Sequence, residues 1–531
     1  MCKKLFVLLL TIFLGISSYA YEAFQGPTEL LHHDPSKAFQ GYTIFSPFRG
    51  KNTYLIDMYG QVVHSWPYPE GFGTPGQEQI EKHARLLENG LLLRGVINRS
   101  AHQGGPPLPG AIYQLVDWNG EVVWEYSDDR SGFRAHHDFR MIWNPKLEQN
   151  TLLYVSSMDI SHNEALSLGL DPSLSNDHSS RPDGLIEVDL DGNVIWEWNI
   201  RDHIIQERDP SLPNYGIVSE NPGKLDIYFS GRNRPGDWIH INSLDYNYEL
   251  DQIVLNNSRD SEFYVIDHGN TFVEGDVEAS RELAASDRGD FLFRWGNPCV
   301  YDLGECPSST NEGQSSTNGH QQLFFTHDIQ WIRDREIGTS PSELDGTGNF
   351  LIFDNGTRRL GQVFSSILEI DPYEGEMLEG MYIPEMLAGH TLASRPGMGL
   401  VQARDSLPLI SNQVIWSYRT PKANAFYGPY ISGVQRLGNG NTLICSGPHG
   451  HIFEITPEGE VVWEYVSPVG DRTQGDYGIY RTMTADSGTM FNAFFKCARY
   501  APNYEGLEGK DLTPRGKITE LFTNEPERPT R

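Results

Sequence analysis

One hairpin motif recurs along this chain, and it restricts the fold more than any other feature. It consists of two or three alternating apolar positions, an acidic or turn residue, Gly, and a β-branched run that ends in Trp. It stands at Tyr54–Trp66, Tyr113–Tyr126, Ile186–Trp198 and Phe453–Tyr465. Leu368–Leu378 is a weaker copy, and Phe263–Asp267 with Phe291–Trp295 reads as one copy split by an insertion. The Asn-Gly, Asp-Gly and Glu-Gly pairs supply the positive φ that tight hairpin turns require. Alternation puts one face of each flank inward. Further strand pairs lie between the copies, at Leu86–Leu93 and Gln435–Leu443. Two hairpins make a four-stranded unit, and a unit that cannot hide its own apolar face must stack on others around an axis. About six units at spacings well above 40 residues predict an all-β fold, a six-bladed β-propeller with a central-channel site and long inter-blade loops. A non-closed array of β-sandwiches is the competing architecture. The first hairpin lacks a preceding inner strand, so the ring is expected to close through C-terminal residues near Tyr480–Met483. Ser308–Gly319 reads as an exposed loop, and Ile383–Ile410 as a segment folding over one end.

The 53 Gly and 32 Pro suit many short strands joined by turns. A formal net charge of −30 argues against a nucleic-acid partner, because neutralising phosphates needs a basic surface. Lys3 and Lys4, the apolar run Leu5–Gly15 and the small-residue site Ser18-Tyr19-Ala20 predict a secretory signal. The expected division is therefore 1–20 signal peptide, 21–41 N-terminal lead-in and 42–531 propeller domain, in a periplasmic or secreted protein. No later segment is long and apolar enough for a membrane span. Four cysteines follow the signal, and an even number in an exported chain favours disulfides. Cys299 and Cys306 bracket a short loop that they can close; Cys445 and Cys497 pair only if their strands adjoin.

Four of the expected inner strands carry a histidine where they begin: His83, His137, His240 and His327. Ser432 takes that place in a fifth, and His136 reads as the outward neighbour of His137. A ring of copied units gathers such residues at one channel mouth. Near them in sequence lie Arg85, Asp138, Arg140, Asn242, Asp328, Gln330, Asn355, Arg358 and Arg359. Arg358 and Arg359 cannot both point inward from one strand, and Arg358 is assigned the inward place. Guanidiniums match the oxygens of sulfate, phosphate or carboxylate, and histidine serves as base, acid or nucleophile.

The segments Trp238–Ser243, Thr326–Trp331, Phe353–Gly356 followed by Arg358, and the unit from Gly440 to Trp463 carry a resemblance. With them the chain resembles the bacterial arylsulfate sulfotransferase family over about residues 42–480. The resemblance implies a six-bladed propeller, export to the periplasm, a disulfide in a short loop, and no nucleotide or other cofactor. It implies transfer of a sulfuryl group from a phenolic sulfate donor to a phenol acceptor through a sulfated histidine. His240 and His327 become sulfuryl-binding or acid–base groups and Arg358 the oxyanion clamp. His137 or His390 is left as the candidate nucleophile, with Asn242, Gln330, Asn355, His83, Tyr427 and Tyr430 as candidate substrate contacts.

Three other readings use the same residues. Four histidines around an axis can bind a metal, with Asp138 or Asp328 as supporting carboxylates. A lyase for an acidic or sulfated polysaccharide would pair histidine with Tyr427, Tyr430 or Tyr480. A secreted binding propeller would need no turnover. No motif sets an oligomeric state.

Overall fold

Strands of 4 to 12 residues, many joined by tight turns, assemble into six sheets whose inner edges surround one channel. In the computed structural model the described residues are 26–48, 50–69, 80–98, 111–171, 173, 180–233, 236–309, 316–333, 346–372, 413–420, 425–471, 477–479, 482–483 and 492–522. The signal-peptide region, Tyr480 and all of 383–410, His390 included, lie outside them. Five blades follow the chain from inner strand to outer strand. They begin at Ile80–Leu86, Phe133–Asn144, Ile241–Asn247, His327–Trp331 and Gly433–Arg436 and form the second to sixth blades. The first blade is composite. Its outer three strands are Tyr42–Pro47, Asn52–Ile56 and Val62–Pro67, and its inner strand is Phe494–Tyr500 from the far end of the chain. The six-bladed propeller expected from the repeats is the fold observed.

Closure differs in detail from expectation. Thr482 and Met483 do not supply the missing inner strand; they pair with Pro27 and Gly26. The lead-in also contributes structure, because Glu29–His33 is the fifth, outermost strand of the sixth blade. The weak copy at Leu368–Leu378 is half right. Ser366–Ile370 is a strand, but its partner is Val414–Tyr418, beyond a long insertion. The split copy is confirmed: Glu262–Asp267 pairs with Phe291–Trp295 around an insertion that holds the helix Val277–Ala284.

The Trp of each repeat ties one blade to the next. Its indole N–H donates to the following blade at Trp66–Asp117 O (3.1 Å), Trp124–Leu190 O (2.7 Å) and Trp196–Thr271 Oγ1 (3.0 Å). The ring continues through Trp295–Gln413 Oε1 (3.0 Å), Trp416–Pro457 O (2.9 Å) and Trp463–Met58 O (2.8 Å). The apolar core lies between blades, as where Phe263, Phe293 and Trp295 pack on Trp331, Phe350 and Ile352. Cys299 and Cys306 form the expected disulfide, with Cα atoms 4.9 Å apart. Cys445 and Cys497 are free thiols; burial first, and then the neighbouring Cys497, push the Cys445 thiol up. Among the described residues no helix is long and apolar enough to cross a membrane.

Candidate functional site at the histidine mouth of the channel

The inner strands do not start as regular β-structure. His137 and His240 sit at φ +56° and +55°, and Asp328 at +54°, a region that non-glycine residues seldom occupy. In the third blade the ladder slips between Ala135 and Phe139, so His137 projects from a bulge. His240 directly precedes Ile241–Asn247. Such strain persists only where surrounding contacts over-determine it. Here they are carboxylates that the sequence reading did not single out.

Asp237 Oδ2 accepts from His240 Nδ1 at 2.9 Å and from Arg259 Nη2 at 2.6 Å. Burial opposes ionisation of Asp237, but the His240 ring and the Arg259 guanidinium outweigh it and hold the carboxyl well below its usual range. With Nδ1–H given to a carboxylate, His240 turns Nε2 outward, and its side chain remains 24% exposed. Asp183 works alongside: Oδ1 lies 3.1 Å from His136 Nε2, and Oδ2 accepts the Ile241 N–H at 2.6 Å. His136 is therefore no outward bystander, since its Nδ1 meets His137 Nδ1 at 2.7 Å. If His136 gives Nε2–H to Asp183, its Nδ1 carries the lone pair, His137 donates from Nδ1, and His137 Nε2 is basic. The His137 and His240 rings lie edge to face, with centroids 4.5 Å apart.

His327 is held differently. Its Nδ1 meets Asn355 Oδ1 at 2.7 Å, and the orientation of that amide is set by Nδ2 donating to Gly428 O (2.6 Å) and Ile431 O (3.0 Å). The Ile431 N–H donates to His327 Nε2 at 3.2 Å, so the buried ring is a neutral Nδ1–H tautomer. The segment before it is bound to the fourth blade: Asn242 and Asn256 amides both reach Thr326 O at 2.7 Å, and Phe325 N donates to Ser261 Oγ at 3.0 Å. Arg358 stands over the Phe325 ring at 5.4 Å. Its neighbour Arg359 is packed into the blade, bound to Asp354 and stacked on Phe324 at 4.0 Å, while Arg358 is exposed.

The other expected contacts separate. Asn242 is a buried tether between blades. His83 lies inside its strand, stacked on Phe139 at 4.0 Å, with Nε2 3.4 Å from Asp138 Oδ1. Burial, and then the Lys496 ammonium, push its imidazole well below the ordinary range, so it is neutral beneath the site. Tyr427 Oη is 3.4 Å from Thr357 Oγ1, next to Arg358. Tyr430 is half-buried against Phe495, Ile431 and Ala493, and burial pushes its phenol up to about 12. Gln330 bonds Asp328 and Val434 O inside the channel.

A buried plug divides the channel below the histidines. Lys496 Nζ lies 2.8 Å from Asp138 Oδ2 and 3.2 Å from Asp328 Oδ1. Burial favours protonated Asp138, but the Lys496 ammonium leads the groups that overcome it and keep the carboxyl far below its usual range. Sequence reasoning missed Lys496, Asp237, Asp183 and Arg259. Only Arg259 had a local signal: Asn257-Ser258-Arg259 leaves the second strand of its blade much as Asn355-Gly356-Thr357-Arg358 does in the next. Among the described residues no three His, Cys, Asp or Glu side chains gather as a metal-holding group, so the metal reading finds no ligand set there.

The family profile described as arylsulfotransferase (ASST) matches residues 116–363, the stretch containing His137, His240, Arg259, His327 and Arg358. A curated relative, arylsulfate sulfotransferase AssT of Escherichia coli O6:H1 (strain CFT073), is 21% identical over 427 residues. That match covers 76% of this chain, and the chain spans 58% of the relative's length. Among solved structures, a Bacteroides caccae protein of unknown function aligns at TM-score 0.38 and 10% identity, covering 87% of this chain and 99% of that one. A streptogramin B lyase aligns at TM-score 0.32 and 10% identity, covering 87% and 98%.

Proposed function

We propose that this chain is a member of the arylsulfotransferase family, whose profile matches its residues 116–363, and that it moves a sulfuryl group from a phenolic sulfate to a phenol through a histidine. The observation carrying the reading is the contrast between two histidines on one mouth. His240 is bonded to a carboxylate, Asp237, at 2.9 Å. A carboxylate stabilises an imidazolium, which suits a group that gives and takes protons. His327 is bonded to a neutral amide at 2.7 Å. A neutral partner leaves the ring uncharged and its Nε2 lone pair available for attack.

In the first half-reaction His327 Nε2 gives up its 3.2 Å bond from Ile431 N–H and attacks sulfur. The N–S bond forms, the S–O(aryl) bond breaks, and the leaving phenolate takes the electron pair and a proton from protonated His240. Arg259 and Arg358 face the sulfuryl oxygens as charge develops on them, the kind of stabilisation that lowers such barriers most. In the second half-reaction His240 takes the acceptor's phenolic proton, the acceptor oxygen attacks sulfur, and the N–S electron pair returns to Nε2. His137 lies against His240 and orients it. A phenolate is a good enough leaving group that no nucleotide carrier is required. The signal-like N-terminus and the Cys299–Cys306 disulfide support an exported, periplasmic or secreted protein.

The test supplies purified protein with 4-nitrophenyl sulfate, with and without a phenol. Nitrophenol release should depend on the acceptor. His327→Ala should abolish it, together with the mass increment of one sulfuryl group trapped when the acceptor is withheld. His240→Gln should slow turnover by about 10²–10⁴-fold, the usual span for a lost acid–base group. Full activity in His327→Ala would overturn the assignment.

A further inference from the structure

At the opposite mouth of the channel, beyond the Lys496 plug, we propose a second binding site, for a small organic anion carrying an aromatic or apolar ring. This site is independent of the sulfuryl-transfer reading. A cavity of about 440 Å³ opens there, lined by residues from the later halves of the inner strands and the turns after them. That volume falls within the range of small-molecule sites. Its floor includes Asp328 and Gln330, the underside of the plug. The cavity and the histidine mouth therefore do not share their lining.

Four of the blades that build this wall each contribute an arginine: Arg85, Arg140, Arg333 and Arg436, the last also bonded to Glu369 at 2.5 Å. The carboxylates inside are already engaged. Asp245 takes Arg333 Nη2 at 2.6 Å, Arg140 Nη2 at 3.3 Å and the Trp331 N–H at 3.0 Å. Asp328 is bonded to Lys496 and the Val434 N–H. The other acids of the lining, Glu88 and Glu249, are exposed at the rim, where water screens them. Four arginines and the engaged carboxylates Asp245 and Asp328 thus make up the charged wall inside the rim, in a chain whose formal charge is −30. The apolar part of the wall includes Trp143, whose ring is 48% exposed although it is among the largest apolar side chains. A guanidinium fork beside an open indole fits an anionic head on a flat ring.

The experiment titrates the full chain with naphthalene-2-sulfonate by calorimetry, with inorganic sulfate and 2-naphthol as single-feature controls. Naphthalene-2-sulfonate should bind more tightly than either control. His240→Ala, which alters the other mouth, should leave the affinity within about threefold. Arg85→Gln and Trp143→Ala should each weaken it about tenfold; both positions have solvent exposure, and the melting temperature verifies their folding. No binding by the native protein, unchanged affinity in both wall variants, or loss of all binding in His240→Ala would overturn the site. Because the readout is binding, its failure is distinct from a failure of sulfuryl transfer.

Discussion

At the scale of single residues, buried histidines of this propeller differ by what surrounds them. His83 is kept neutral by burial and Lys496, whereas His268 is kept charged. Its Nε2 lies 2.8 Å from Glu187 Oε2 and its Nδ1 2.5 Å from Asp251 Oδ1. Burial would lower this imidazole, but the two carboxylates outweigh it and raise it to about 9. A raised histidine adds stability that is complete below its unfolded value near 6.5 and is lost as pH rises through the folded value. The melting-temperature gap between the native chain and His268→Gln should therefore be widest below about pH 6.5 and narrow toward pH 9 and above. Parallel melting curves across that window would refute the charged state. Neither histidine's role was legible locally, because the partners of each lie on other strands. The same holds for His240: Asp237 is only three residues away, yet nothing in that spacing announces a carboxylate–imidazole pair.

At the scale of elements, the repeat that made the fold readable has a mechanical meaning. The Trp at the end of each copy is a donor to the next blade, so six indoles link the whole ring. Trp463→Phe keeps much of the ring volume but removes the N–H that meets Met58 O at 2.8 Å. It should cost about 1 kcal/mol, the net worth of one such hydrogen bond, and lower the melting temperature. Trp143→Phe, at the exposed ring, should leave it nearly unchanged. Equal effects of the two substitutions would deny the indole bond its role. Hairpins with short turns were identified correctly because turn chemistry and alternation are local. The fifth blade's outer strand was misplaced because the reading continued directly past Ile370, whereas the chain makes an excursion before returning at Val414–Tyr418.

At the scale of the whole molecule, closure and the site depend on one strand. Phe494–Tyr500 completes the first blade and brings Lys496 between Asp138 and Asp328, which belong to the third and fifth blades. Lys496→Met leaves two buried carboxylates without their common cation. Breaking a buried pair this way costs about 3–5 kcal/mol. Denaturant unfolding should register that loss, and replacing Asp138 and Asp328 by Asn in the same chain should recover part of it. A Lys496→Met protein as stable as the native one would remove the plug from this account. The sequence alone determined an all-β ring of repeated four-stranded units, and it placed two imidazoles, His240 and His327, where inner strands begin, because hairpin turns and strand periodicity act over a few residues. Tertiary structure alone decided which carboxylate or amide each imidazole meets, which of Arg358 and Arg359 is packed into the blade, and which strand closes the ring. Those outcomes come from contacts between residues far apart in the chain, 358 positions for Lys496 and Asp138, and such contacts exist only once the blades have closed on one another.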